Sequence, residues 1–412
     1  MKKEKANEKN SSFLTFFKST KEFVQKNYPS ILLFLATFIV AVVLSLFRTV
    51  TEDSVSRISI NDFQPGQIAM ENIYSPRSIA ADSENPVEIQ KGEQLTRQGW
   101  PIDDEEYAKL KKLSDSSRYT DYRSFANSVL FLLLLGSLFC FMFSSVFFGK
   151  TPAFKEVATE CVFFIITYAT AIFVSRLTHF ESPIGFCILL PATLCSFLVA
   201  ILFGQLNAFF FAIFVSFSIL DAASFNLEPF FYVLSTSLVA ARLVQSVERR
   251  IDLVFVSLMQ SFLNVVFLFV FKIIFKDSYG IIILEAFGLF FNGFISGILC
   301  LGLLTPIEYI LNTASVFRLL DLSDLNAPTI KNMQMVAGGT YTHSIMVANL
   351  AESACRKIGA NSLLARVGAY YHDIGKTDNP EYFTENQDGK ENIHNEINPS
   401  LSVSIIRSHV KK

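Results

Sequence analysis

Eight apolar runs dominate this chain and limit what it can fold into. They cover residues 30–47, 129–148, 158–175, 184–203, 206–220, 230–241, 253–271 and 281–304. A helix needs about 20 apolar residues to cross the hydrocarbon core of a bilayer, and most of these runs approach that length. Because 51% of the residues are hydrophobic and the mean hydropathy is +0.39, most of the chain is expected to lie in lipid. The predicted fold class is an all-α polytopic membrane protein with about eight transmembrane helices.

The first run follows a lysine-rich segment, residues 1–29. A cleaved signal peptide is the competing interpretation. The run at 30–47 is long for such a peptide, and no small-x-small cleavage site follows it. We therefore interpret it as an uncleaved first transmembrane helix whose basic flank lies in the cytoplasm.

A polar block, residues 48–124, separates the first apolar run from the others. Short β-like pieces in it are bounded by proline and glycine turns. Residues 103–113 then predict a helix, because acidic side chains begin the segment and lysines end it. The block is predicted to be a small mixed extracytoplasmic domain, either a minimal sensor or a spacer, and the spacer is favoured.

The remaining seven runs predict a transmembrane bundle over residues 125–304. Two of them, 206–220 and 230–241, are short and form either two short spans or a re-entrant pair. Either arrangement leaves the end of the chain on the same face of the membrane. The positive-inside rule then places residues 305–412 in the cytoplasm. The basic residues on that side are Lys150, Lys155, Arg242, Arg249 and Arg250.

Two residues inside the predicted spans stand out. Pro191 predicts a kink. Glu285 either lines a ligand or ion path or takes part in helix packing near the membrane edge, and packing is favoured.

The overall charge and the cysteines argue against a nucleic-acid-binding protein and against a disulfide-stabilised one. A formal net charge of −2 argues against a nucleic-acid polymer as partner. Five of the six cysteines lie in apolar runs, so no disulfide framework is indicated.

Histidines concentrate near the end of the chain. Four of the five His lie after residue 340, and they include His343 and the pair His372-Asp373. Imidazole nitrogens with a carboxylate suit Fe, Mn or Zn. Histidines that merely pack between helices are the alternative.

Several stretches from 317 onward resemble a known family. They read FRLLDLSDLNAP, GTYTHSIMVANLAE, IGANSLLARVGAYYHDIGKT, FTENQ and NPSLSVSIIRSHVK. They resemble the seven-transmembrane HD phosphohydrolases, the PgpH type of cyclic-di-AMP phosphodiesterase. The resemblance implies a linker at 305–338, then a partial, all-α, cytoplasmic HD domain at 339–412, in a multi-pass protein of the bacterial inner (plasma) membrane. The block at 48–124 is similar to the start and the end of the family's extracytoplasmic domain, without its middle.

The resemblance also implies roles for individual residues. His343 and His372 bind one divalent metal ion, Asp373 is catalytic and bridges to a second, and His409 helps to bind that second ion; Fe or Mn is expected. Lys376 either contacts the phosphate or holds its loop, and the two remain equal alternatives. The implied partners are a cyclic dinucleotide, hydrolysed from cyclic-di-AMP to pApA, the lipid bilayer and a second copy of the chain.

The match to the family is incomplete in three places. Thr342 stands where relatives often have a second His. His394 is expected to order a loop rather than to bind metal. A late His pair and a late Asp of the family have no counterpart before Lys412, so impaired activity is expected. The alternative function is a non-catalytic membrane receptor that binds a nucleotide.

Overall fold

A computed structural model describes most of the chain. The described residues are 28–49, 63–69, 72–75, 78–81, 87–90, 93–115, 122–142, 153–175, 182–247, 249–276, 279–387, 389 and 392–411. Residues 1–27 of the predicted basic segment and Lys150 lie outside them. The described part is almost wholly helical, which confirms the predicted fold class.

The chain divides into two compact units. One comprises residues 1–247 and 253–304, and the other comprises residues 248–252 and 305–412. The first, here called the membrane unit, holds most of the apolar runs. The second, here called the C-terminal unit, holds the clustered histidines.

The apolar runs form the helices of the membrane unit. They are α1 (Tyr28–Thr49), α3 (Tyr122–Met142), α4 (Phe154–Val174), α5 (Ala192–Phe203), α6 (Gln205–Ala222), α7 (Leu227–Leu243), α8 (Arg250–Phe275) and α9 (Ile282–Leu311), with α2 (Asp104–Asp115) in the polar block. Six of the described helices are long and apolar enough to cross a membrane, namely α1, α3, α4, α6, α8 and α9. The chain is therefore a membrane protein.

The run at 184–203 does not form the single long helix that was expected. It begins with a 3₁₀ turn, Gly185–Leu189, and continues after Pro191 as α5, which has only 12 residues. Proline has no N–H to donate and disfavours helical backbone in the residue before it, so the helix starts anew at this point. Gly204, with φ +94°, then leads directly into α6.

The two short runs form complete helices. Residues 206–220 lie in α6, which has 18 residues, and residues 230–241 lie in α7, which has 17. The turn between them uses left-handed backbone at Ser224 and Phe225, and Asn226 caps α7 by accepting the Glu228 N–H at 2.9 Å.

Two pairs of opposite charges lie within the membrane unit. Lys272 on α8 lies 2.8 Å from Glu285 on α9, and both side chains are buried. Arg48 lies 3.4 Å from Asp221, which also accepts a 2.6 Å hydrogen bond from the Tyr168 hydroxyl. A charge in lipid is costly unless it has a partner. The contact with Lys272 agrees with the packing interpretation of Glu285.

The polar block forms a small mixed domain, as expected. Strands β1 (Ile73–Tyr74) and β2 (Gln94–Thr96) pair antiparallel, and α2 covers them. Lys112 of α2 donates hydrogen bonds to the carbonyls of Ala80 at 2.9 Å and Val87 at 2.6 Å. The apolar core of this domain contains Ala69, Ile73, Ile89, Leu95, Ile102, Leu110 and Leu113.

The C-terminal unit contains short helices. They are α10 (Val316–Leu322), α11 (Pro328–Val336), α12 (Gly338–Lys357), α13 (Ser362–Tyr371) and α14 (Pro399–Ser408), with several 3₁₀ turns between α13 and α14. Asn361 caps α13 by accepting the Leu364 N–H at 2.9 Å. Buried Ala348 and Ala369 let α12 and α13 approach closely, with Ile330 and Tyr370 beside them.

Candidate metal centre

The close packing of α12 and α13 brings the predicted histidines together. His343 lies in the second turn of α12, whereas His372 and Asp373 follow the last turn of α13. Their rings and carboxylate meet on one side of the helix pair: the centroids of the His343 and His372 rings are 5.7 Å apart. One ligand atom from each of His343, His372 and Asp373 lies within 4.8 Å of the others.

The residues of this group suit a divalent transition metal. Two imidazole nitrogens and one carboxylate oxygen match the preferences of Fe, Mn or Zn. His343 and His372 are exposed, so a ligand can reach them, whereas Asp373 is buried. The group can therefore hold an ion on an accessible face of the unit.

Hydrogen bonds to the main chain set which nitrogen of each ring faces the site. His372 Nδ1 lies 2.8 Å from the Ala369 carbonyl, and His409 Nδ1 contacts the Ile406 carbonyl in the same way. Because a carbonyl only accepts, Nδ1 must carry the proton in each ring. Nε2 then keeps its lone pair for a metal.

Asp373 is the point on which the other side chains converge. His372 Nε2 lies 3.2 Å from its Oδ2, and His409 Nε2 lies 3.5 Å from its Oδ1. Lys376 Nζ is 2.9 Å from Oδ2. The structure thus brings all five predicted site residues into one place, with His409 on the far side of the carboxylate from His372.

Lys376 has a second partner that the sequence interpretation missed. Its Nζ lies 2.7 Å from Glu385 Oε1, which also accepts a 3.1 Å hydrogen bond from the Thr340 hydroxyl. The FTENQ stretch that contains Glu385 was noticed, but no regular spacing links Glu385 to Lys376, because the two are joined by irregular 3₁₀ turns. A charged residue inside a resembling stretch was the only signal.

The contact between Lys376 and Glu385 changes the pKa of both side chains. Burial alone lowers the pKa of Lys376, but the hydrogen bonds to Glu385 and Asp373 outweigh burial and raise it above its usual value. Burial likewise raises the pKa of Glu385, but the contact with Lys376 outweighs it and lowers that pKa. Lys376 is therefore held as a cation beside Asp373.

Two glycines allow main-chain segments to close around the site. A Cβ at Gly375 would overlap the carbonyl of His409, and a Cβ at Gly339 would overlap the carbonyl of Glu385. Only glycine can bring the backbone this close. The glycine of HDIGK thus brings His409 to Asp373.

Thr342 and His394 have other contacts. Thr342 donates its hydroxyl to the Gly338 carbonyl at 3.0 Å, within its own helix. His394 contacts the Tyr382 carbonyl through Nε2 at 2.7 Å and is not part of the group of three.

The fold and the site define a class: a polytopic membrane protein with a helical domain in which one His meets a His-Asp pair. Residues 124–315 match the family described as 7TM receptor with intracellular HD hydrolase, and residues 340–411 match the HD domain. These matches confirm the resemblance of the chain to the seven-transmembrane HD proteins.

Two proteins called PgpH are similar to this chain in sequence. Cyclic-di-AMP phosphodiesterase PgpH of Listeria monocytogenes is 32% identical over 345 residues, which cover 81% of this chain and 47% of the relative. PgpH of Bacillus subtilis is 51% identical over 118 residues, which cover 29% of this chain and 17% of the relative. The chain spans less than half the length of these relatives.

A solved structure is also similar to part of the chain. It is the HD domain of the Listeria monocytogenes PgpH in complex with cyclic-di-AMP. It is 57% identical, covers 21% of this chain and 41% of the solved chain, and has a TM-score of 0.21.

Proposed function

We propose that this chain acts as a membrane-anchored, metal-dependent phosphodiesterase that opens cyclic-di-AMP to pApA. The observation that carries the proposal is the meeting of His343, His372 and Asp373 within 4.8 Å on an accessible face. The names of the relatives supply the substrate, since two of them are cyclic-di-AMP phosphodiesterases.

The site fits the metal that an HD domain implies. His343, His372 and Asp373 would hold a first divalent ion, Fe or Mn, and His409 with Asp373 would hold a second. When bound, such ions stabilise charge on phosphoryl oxygens and lower the pKa of bound water. The chain's own contribution is to fix Nε2 of His372 and His409 toward Asp373 through their main-chain hydrogen bonds.

Lys376 is proposed as a positioning residue. Of the two alternatives, contact with the phosphate or support of the loop, the ion pairs favour support. Its ammonium is already engaged by Asp373 at 2.9 Å and Glu385 at 2.7 Å, and it lies over the Phe383 ring. Lys376 would therefore orient Asp373 and offset its charge.

The proposed location is the bacterial inner membrane, with residues 305–412 in the cytoplasm. Lys155, Arg242 and Arg249 support this orientation through the positive-inside rule. Green fluorescent protein fused after Lys412 should fluoresce in living cells, and alkaline phosphatase fused at the same place should be inactive. The reverse result would place the C-terminal unit outside.

The assay that tests the function uses the purified full chain in nanodiscs, with cyclic-di-AMP and Mn²⁺ or Fe²⁺. Metal-dependent formation of pApA is expected from the wild type and from Asp324→Asn, which removes an exposed carboxylate of the same unit. Asp373→Ala should abolish it.

Two results of the assay would contradict the proposal. Turnover that survives Asp373→Ala would assign the activity elsewhere. Nucleotide binding without turnover would place the chain in the receptor class. The impaired activity and the association with a second copy stay predictions, which the turnover rate and the mass of the nanodisc-embedded particle would measure.

A further inference from the structure

The membrane unit contains an apolar cavity that the proposed phosphodiesterase function does not use. It lies between α1, α3, α4 and α6, far along the chain from the HD stretch, has a volume of about 50 Å³ and opens outward. Six phenylalanine rings line it. They are Phe34, Phe38, Phe139, Phe164, Phe211 and Phe214.

One wall of this cavity carries an acidic side chain. Glu160, in the second turn of α4, lines the cavity and is 1% exposed, and among the described residues neither of its carboxylate oxygens has a hydrogen-bond partner. None of the described residues that line the cavity is basic. Thr37, the polar residue of α1 that lines the cavity, donates its hydroxyl to the Leu33 carbonyl at 2.9 Å.

Glu160 differs from Asp221 and Glu285, two other buried acidic residues of the membrane unit, because those two have partners. Asp221 has Arg48 and Tyr168 as partners, and Glu285 has Lys272. A buried carboxyl group without a partner is costly, and ionisable groups inside membranes pair or mark a ligand path. The missing partner of Glu160 is therefore expected to come from a ligand.

The walls define the chemistry of that ligand. Its body must be apolar, because the carboxyl group is surrounded by phenylalanine rings and aliphatic side chains. A cationic group suits both the carboxyl group and the phenylalanine rings, because an ammonium pairs with a carboxylate and is attracted to aromatic faces. A neutral alcohol satisfies only the carboxyl group.

We propose that this cavity is a binding site for a lipophilic amine, whose ammonium group pairs with Glu160 and whose apolar body lies among the phenylalanine rings. The site joins four helices, so an amine bound there bridges α1 to α3, α4 and α6. The proposal stands independently of the proposed function of the C-terminal unit.

Thermal unfolding of the purified full chain in nanodiscs tests the site, with dodecylamine as the probe and 1-dodecanol as its neutral match. Ligand that binds only the folded state raises Tm. Dodecylamine should raise the Tm of the wild type by several degrees more than dodecanol does. Glu160→Gln should lose this difference.

Glu156→Gln is the matched control, because Glu156 lies one turn earlier on α4, is partly exposed and does not line the cavity. It should keep the full response to dodecylamine. Equal shifts with amine and alcohol, or an amine shift that persists in Glu160→Gln, would show simple uptake of alkyl chains and overturn the proposal.

A second measurement needs no variant, in case Glu160→Gln does not fold. Dodecylamine that carries a photoreactive diazirine is added to the wild type, and labelled peptides are mapped by mass spectrometry. Labels should concentrate on the cavity walls of α3 and α4 and fall when excess dodecylamine, but not dodecanol, competes. Labels spread along lipid-facing helices without competition would exclude the site.

Discussion

Gly375 lies directly against the main chain of His409, so closely that a Cβ at position 375 would overlap the His409 carbonyl. Replacing Gly375 with Ala should therefore push the last 3₁₀ turn, His409–Lys411, away from Asp373. The expected cost is about 1–3 kcal/mol of stability, typical of overpacking.

Gly368→Ala is the matched control for this change. Gly368 lies in α13 with open space around its Cβ position, so alanine there should be neutral or stabilise by about 0.5–1 kcal/mol. Denaturant unfolding of the full chain, followed by hydrogen exchange of peptides from residues 399–411, measures both variants. Equal stability of the two would contradict the close contact.

Metal binding should depend on His343 and His372. His343→Ala and His372→Ala each remove one of the three grouped ligands, so Mn²⁺ affinity should fall at least about 10-fold, as even the loss of outer-shell partners costs that much. His394→Ala, outside the group, should retain the wild-type affinity. Isothermal titration calorimetry checks this, and equal affinities in all three variants would exclude the proposed centre.

Glu385→Gln should change the titration of Lys376. Because Glu385 helps to raise the pKa of Lys376, its removal should lower that pKa and expose more neutral amine at alkaline pH. Acetylation of Lys376 by acetic anhydride, measured by mass spectrometry across pH, should become faster in Glu385→Gln. Glu381→Gln, on the exposed side of the same loop, should behave as the wild type.

The small domain of β1, β2 and α2 should weaken in acid. The Gln90 N–H and then the Lys109 ammonium hydrogen-bond to Glu93 and lower its pKa. A lowered folded-state pKa gives stability that is present above the unfolded value of about 4.3 and is lost as the pH falls through the folded value. The pair with Lys109 should contribute about 0.2–1 kcal/mol at neutral pH.

Hydrogen exchange of residues 93–113 in the full chain measures this contribution. Glu93→Gln should be less protected than the wild type at pH 7, and the difference should vanish once the pH falls below the folded pKa of Glu93. Glu88→Gln, an exposed glutamate of the same domain, serves as the control. A difference independent of pH would assign the effect to packing.

The buried pair of Lys272 and Glu285 predicts a double-mutant result. Lys272→Met leaves the Glu285 carboxylate buried without its cation and should cost about 3–5 kcal/mol. Adding Glu285→Leu should recover most of that loss, because an apolar pair of similar size fills the same space. Unfolding in mixed detergent micelles checks the recovery, with exposed Lys276→Met as the neutral control.

The sequence predicted the helices of the membrane unit because apolar runs of sufficient length have few alternatives in lipid. It also pointed to His343 through the GTYTHSIMVANLAE stretch and to His372 and Asp373 through HDIGK, and the structure brings the three together, while their binding of metal stays a prediction. The run at 184–203 was predicted as one helix with a kink at Pro191, and the structure breaks it there into a 3₁₀ turn and α5, because hydropathy does not distinguish a kink from a break. The pairing of Arg48 with Asp221 joins residues 173 apart in the chain, and no local pattern reports such a contact.

A series of hydrogen bonds connects the start of α12 to the carboxylate at the site. It runs through Thr340, Glu385, Lys376 and Asp373, so the position of the helix end affects the charge around Asp373. Thr340 lies in the first turn of α12, and each link to Asp373 is 3.1 Å or shorter. A displacement of that turn by about one hydrogen-bond length would break the bond from Thr340 to Glu385 and hold Glu385 less firmly beside Lys376. The position of a helix end and the net charge around a carboxylate are thereby tied together, so that moving one resets the other.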